Sequence, residues 1–153
     1  MNWMRERWSI EDGFDLDVFL ARPLVAHLAT TGPTVRPIWF LWEEDTFWWL
    51  TGSSWSNLAE YLARDPHASV VVDSCDLTTG EVKRVTARGV AEIVAFDQER
   101  AHRKLERYLG GDDSTWDPRF TAETFGDPTA RLGRLQPVTL NARDISFQVH
   151  ANA

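Results

Sequence analysis

The segment from Val35 to Thr51, VRPIWFLWEEDTFWWLT, limits what this 153-residue chain can fold into more than any other. Two apolar runs flank Glu43-Glu44-Asp45, which reads as the tight turn of a β-hairpin. Side chains alternate faces along a strand, so Ile38, Phe40 and Trp42 share one face and Trp39 and Leu41 the other. Trp48 and Trp49 likewise point to opposite sides, and four of the chain's eight tryptophans lie in these two runs. A hairpin with one wet face alternates apolar with polar residues. This one is apolar on both faces, so a helix, a bound ligand or another subunit must cover the second. For so short a chain, a subunit together with a ligand is the expected cover.

The flanking sequence extends the hairpin into an expected antiparallel meander. Val25 to Thr31 reads as a strand, Gly32-Pro33 as a turn, and Val35–Glu43 and Thr46–Thr51 as the next two strands. Ser9 and Asp12 suggest a first helix running to about Ala21. Ser54-Trp55-Ser56-Asn57 offers helix caps before Leu58–Arg64, which ends at Asp65-Pro66. Ala68–Asp73 and Val82–Val94 read as strands, the second with Gly89 inside it as a bulge or close approach. Asp97 caps a helix that ends at Gly110. The stretch 111–127 is polar, with Trp116, Phe120 and Phe125 as isolated anchors. Leu135–Leu140, and a further run at Ile145–Val149, complete the strands. One domain over 1–153 is expected, a mainly β (α+β) antiparallel barrel with flanking helices, because closure removes exposed strand edges.

Composition narrows the function classes. No segment approaches the roughly 20 apolar residues of a membrane span. The single cysteine, Cys75, and an N-terminus without an apolar stretch point to a cytoplasmic protein. Net charge is −7 and no basic face is evident, which argues against nucleic acid. Arg100, Arg103, Lys104 and Arg107 alternate with Glu99 and Glu106 and read as a solvated helix face. The four histidines, His27, His67, His102 and His150, are scattered without metal-ligand spacing. G-x-S-x-G, P-loop and dinucleotide-binding glycine patterns are missing.

The order of motifs resembles a known family. AHLATTGPTVRPIWFLWEEDTFWWLT, then Thr51-Gly52, Asp65-Pro66, Val70-Val71-Val72, Arg88-Gly89-Val90-Ala91-Glu92 and the run from Pro137 through Asp144 to Phe147 are similar to the pyridoxamine 5'-phosphate oxidase-like superfamily, over about residues 14–147. That superfamily includes the flavin and deazaflavin oxidoreductases. The resemblance implies a six-stranded antiparallel split barrel. It also implies a homodimer with FMN or coenzyme F420 at the subunit interface, haem being the less favoured ligand, and hydride transfer to or from a small organic substrate. It directs attention to Arg36, Pro37, Ile38 and Trp39, with Phe40, as a wall, and to Thr51 and Gly52 at the ring edge. Ser53, Ser54, Ser56 and Asn57 would cradle a phosphate. The family's usual Lys or Arg after those serines falls near Leu58, and no basic residue occurs between Arg36 and Arg64. Arg36, Lys83, Arg84, Arg88, Arg131 and Arg134 are the candidate substitutes, some of them reaching in from a partner subunit. His27, Tyr61 and Tyr108 are the titratable groups available as proton donors. The alternative is a non-catalytic split barrel that holds haem, a flavin or a hydrophobic small molecule; a tailoring enzyme for an aromatic metabolite is a third reading.

Overall fold

Positive φ at Glu44 (57°) and Asp45 (53°) makes the hairpin turn a two-residue reversal. Glu43 therefore pairs with Thr46, Trp42 with Phe47 and Leu41 with Trp48, setting β4 (Leu41–Glu43) against β5 (Thr46–Gly52). These pairings come from a computed structural model that describes residues 3–150. Residues 1–2 and 151–153, the ends of the expected domain span, lie outside the described residues.

The strand entering this hairpin is broken at Phe40. β3 (Thr34–Trp39) pairs with β2 (Val25–Thr30), not with the hairpin. β2 pairs in turn with β6 (His67–Asp76), β6 with β7 (Glu81–Ala95), β7 with β8 (Ala130–Leu135), and β8 with β5. The path reads β3-β2-β6-β7-β8-β5-β4. Because β3 runs into β4 through Phe40, it closes as a circuit of six strands with one bent member. The expected simple meander is thus corrected: β2–β3 and β4–β5 are separate hairpins at opposite ends of the path. The six-stranded split barrel holds, with two strands added. β9 (Thr139–Asp144) pairs with the first half of β7, and β1 (Trp8–Ile10) runs parallel to β9.

Other expectations change in detail. The first helix is only α1 (Leu16–Leu20), capped by the Asp15 carboxylate on the Val18 N–H. Gly13, at φ 83°, stops any earlier start, and Trp8-Ser9-Ile10 goes to the sheet instead. α2 (Leu58–Arg64) and α3 (Gln98–Leu109) fall where expected, α3 between Asp97 and Gly110. The closing strands bracket Gln136–Val138 rather than spanning it, since Pro137 has no N–H for a ladder. Gly89 marks a close approach, because a Cβ there would sit 2.7 Å from the Gln136 carbonyl oxygen. The polar stretch after α3 contains short 3₁₀ turns and α4 (Ala122–Phe125).

The barrel interior holds Phe40, Phe47, Trp49, Leu28, Val70, Val72, Val85 and Leu135, all fully buried. The second face of the hairpin is covered by the chain itself. Leu41 and Trp48 pack with Ala101 of α3 and with Leu132, and Phe96 and Phe125 close over them. Arg100 lies over the Trp48 ring at 3.7 Å and bonds Glu43, which Arg103 also grips. Arg100, Lys104 and Arg107 of α3 therefore face the barrel, correcting their reading as a solvated face, while Arg103 stays exposed. Arginines suit that position because they donate to carboxylates and carbonyls while their stems cover apolar surface.

Gly133 lies opposite Trp49 on the neighbouring strand, and a Cβ there would come within 2.1 Å of the indole. Gly133→Ala should therefore cost about 1–3 kcal/mol of stability, measurable as a lower urea midpoint at unchanged slope.

Candidate functional site

Beyond Trp48, β5 has no partner on its β4 side, and β3 has none on the side away from β2. The two unpaired edges diverge and leave a groove, the split of the barrel. Its volume is about 370 Å³, within the range of sites that hold small ligands and cofactors. Arg36, Pro37, Ile38 and Trp39 form one side and Trp49, Leu50 and Thr51 the other. Trp55, Ser56 and Leu58 close one end, and Lys104, Leu105, Phe120 and Thr124 roof the groove.

Aromatic stacking shapes the wall. Trp39 lies flat against Tyr108, with centroids 4.5 Å apart and planes 2° apart, and against Phe120 at 5.5 Å. Tyr108 is itself fixed, since its hydroxyl donates to the Leu24 carbonyl and accepts from the Phe40 N–H. Burial raises its pKa. Gly52 backs Trp55 closely, a Cβ there coming within 2.5 Å of the indole.

The groove also carries donors that find no acceptor. Arg36 Nε and the Trp49 indole N–H are buried without a hydrogen-bond partner. Arg36 Nη1 donates to Ser56 Oγ and Asn57 Oδ1 at 3.3 and 3.4 Å, and its guanidinium lies over the Tyr61 ring. Lys104 is 6% exposed and has no hydrogen bond or ion pair among the described residues. Desolvation lowers its pKa from 10.5 to about 7. Unsatisfied buried donors each cost on the order of 1–3 kcal/mol, and Arg36 and Lys104 bring such donor capacity to this groove.

Sequence-derived candidates divide accordingly. Arg36, Pro37, Ile38, Trp39, Thr51 and Ser56 line the groove, with Gly52 behind Trp55 and Asn57 held by Arg36. Phe40 turns into the core instead. Ser53 is exposed, and Ser54 donates to Asp127, whose carboxyl is held below its ordinary value by that bond and by Thr129. Neither lines the groove. Arg88 lines a separate cleft of about 530 Å³ with Arg7, His67, Val90 and Val138. His27 is exposed on β2 and Tyr61 lies between Arg36 and Arg64, so neither reaches the groove. Lys104 and Trp49 were missed as site residues. Helical spacing marked Lys104 as surface, and only the packing of α3 on the split turns it inward. Among the described residues, no group of three or more His, Cys, Asp or Glu is placed to hold a metal, and no helix is long and apolar enough to cross a membrane.

A closed antiparallel circuit, split along one seam and lined there by aromatics and buried donors, defines a split barrel. The chain belongs to the pyridoxamine 5'-phosphate oxidase family, whose sequence model matches residues 15–130. A search of curated proteins finds no match. Among solved structures it is similar to a conserved protein of Mycobacterium tuberculosis, at 21% identity and TM-score 0.69, covering 95% of each chain. It is also similar to the FAD-binding protein of Mycobacterium smegmatis, at 17% identity and TM-score 0.60, over 91% of this chain and 99% of that one. The flavocytochrome of Azotobacter vinelandii matches at 16% identity and TM-score 0.60, over 89% and 78%.

Lys104 must lose its charge or its hydration to fold, so it works against stability. Its folded pKa lies below the unfolded value, so the unfolded chain binds the extra proton between about pH 7 and 10.5. Lys104→Met should thus stabilise the ligand-free protein most at or below neutral pH, by on the order of 2 kcal/mol. The gain should shrink as pH rises toward 10.5, as read by thermal melts across that window.

Proposed function

We propose that this protein binds a flavin in the split and uses it as an oxidoreductase, passing hydride to or from a small organic substrate in the cytoplasm. The observation that carries this reading is the groove itself: an aromatic wall beside buried donors that lack acceptors. A flavin presents a flat apolar ring, an acceptor-rich ring edge and an anionic tail, and the lining fits each. Ile38 and Trp39 offer the wall, the unpaired β3 and β5 edges offer backbone groups, and Arg36 with Ser56 and Asn57 offers a cationic polar end. Arg36 thereby takes the role of the basic residue missing near Leu58. Flavin binding in similarly folded proteins of Mycobacterium smegmatis and Azotobacter vinelandii accords with this assignment. When bound, the flavin supplies the hydride chemistry; the chain positions the ring, excludes water and balances charge. Coenzyme F420 would use the same wall.

A second reading rests on Tyr108. Its hydroxyl is engaged by backbone groups behind Trp39, and among the described residues no tyrosine or histidine lines the groove. That favours a protein that holds its flavin without turnover. Reduction of the bound flavin by a nicotinamide, followed by reoxidation with candidate acceptors, distinguishes the two.

The purified protein should show the twin-banded spectrum of a flavin, and the released cofactor's mass should identify it. A single violet band would indicate F420 and a Soret band haem, either of which overturns the flavin assignment. Arg36→Ala should weaken FMN about tenfold or more, while riboflavin, which lacks the phosphate, changes far less.

We further propose a homodimer. The Arg88 cleft, with Ala29, Ala68, Val90 and Val138, would be its buried seam. Gel filtration should return about twice the 17.5 kDa chain mass, and a monomer would remove the seam.

A further inference from the structure

Lys104 is the one cation of the groove without a task. Its neighbours on α3 all find acceptors. Arg100 and Arg103 bond Glu43, and Arg107 bonds the carbonyls of Leu20, Ala21, Arg22 and Phe40. Lys104 makes no hydrogen bond or ion pair among the described residues, and its Nζ lies 6.0 Å from the centre of the Trp39 ring. A methionine would fill that space without burying an ammonium, so the lysine serves no packing purpose.

Position assigns the purpose. Arg36 and Trp39 stand three residues apart on β3, roughly 10 Å at about 3.3 Å per residue. By strand alternation Arg36 and Trp39 leave opposite faces of β3, so Arg36, with Ser56 and Asn57, and Lys104, beside Trp39, flank the unpaired β3 edge at separate points of the groove. Trp49 also lines the groove, but its unpartnered indole N–H lies over Gly133 on β8 and so faces away from the split. Two separated cations joined by an apolar wall suit a ligand with separate acceptors and a flat middle.

We propose that Lys104 is the receptor for the acceptor-rich edge of the flavin ring, set apart from the phosphate end held by Arg36. This rests on the flavin reading above. The ammonium donates to ring carbonyl oxygen or nitrogen, orients the ring in the split, and sets a positive charge beside the edge where electron density gathers on reduction.

The charge state of Lys104 then governs ring affinity. Without an acceptor its pKa is held near 7 by desolvation alone, with no carboxylate contributing. A ring acceptor favours the charged form, so binding takes up a proton above neutrality and weakens as pH rises. The other ionisable groups facing this end are Arg36 across the groove and Tyr108 behind Trp39. Leu50 and Thr51 from β5, Leu58 from α2, and Phe120 and Thr124 from the roof do not titrate. Arg100, Arg103 and Arg107 on α3 stay charged throughout.

Riboflavin, which has the ring but no phosphate, is the probe, titrated by fluorescence quenching into wild type, Lys104→Met, Lys104→Gln and Lys104→Arg at about pH 6.5 and 8.5. Wild type should lose about tenfold in riboflavin affinity between the two pH values. Lys104→Met and Lys104→Gln should be about tenfold weaker than wild type at the lower pH and nearly flat with pH. Lys104→Arg should retain binding at the higher pH. The ratio of FMN to riboflavin affinity should survive loss of Lys104 and collapse in Arg36→Ala. Riboflavin binding unchanged in both neutral variants overturns the proposal and leaves the flavin reading standing. A loss confined to FMN would put Lys104 on the phosphate and also overturns it. If wild type binds neither compound, the flavin reading fails and this inference with it.

Discussion

The architecture turns on the backbone of Phe40. Its N–H donates to the Tyr108 hydroxyl, and its carbonyl accepts from Arg107. Both groups would otherwise be buried orphans at a strand break, each costing on the order of 1–3 kcal/mol. With α3 supplying the partners, the chain can leave one side of the sheet as β3 and enter the other as β4, so the circuit closes without β3 ever pairing with β5. The same guanidinium gathers the carbonyls of Leu20, Ala21 and Arg22, anchoring the end of α1 to the bend. One helix thus holds the barrel shut at the kink and open at the seam.

The groove follows from that choice. Two strand edges kept apart expose backbone groups, and the side chains beside them divide the labour. Trp39, stacked on Tyr108 and Phe120, is rigid apolar surface. Arg36, Trp49 and Lys104 carry unmet donor capacity. Among the described residues, the other buried side-chain nitrogen and oxygen atoms find partners, so the orphan donors of Arg36 and Trp49 stand out as a local cost in stability. The segment after α3, which lends Phe120 and Thr124 to the roof, belongs functionally to the site although it lies far from the hairpin in sequence.

Much of this was legible from sequence because it rests on local rules. Alternation exposed the hairpin, glycine and proline punctuated the strands, and Asp97 and Gly110 bounded α3. The wall residues Arg36 to Trp39 followed from motif order. What failed did so where a local pattern admits two tertiary outcomes. Ser9 resembles a helix cap, yet Trp8–Ile10 found an open edge on β9. The strand through Phe40 looked continuous, since nothing in FLW announces that Tyr108 and Arg107 wait to satisfy a break.

Thus the amino-acid sequence by itself determined that a two-faced apolar ribbon must be enclosed, because side-chain alternation and turn chemistry act over a few residues; the family of barrel followed from the resemblance of its motifs. Which surface encloses it was decided only in three dimensions. The second face of the hairpin went to the chain's own α3, and that docking carried Lys104 from an apparent solvent face into the groove. Helical periodicity states which residues share a side. Only packing against β3 and β5 states what that side meets, because burial is a property of the pair of surfaces and not of either one alone.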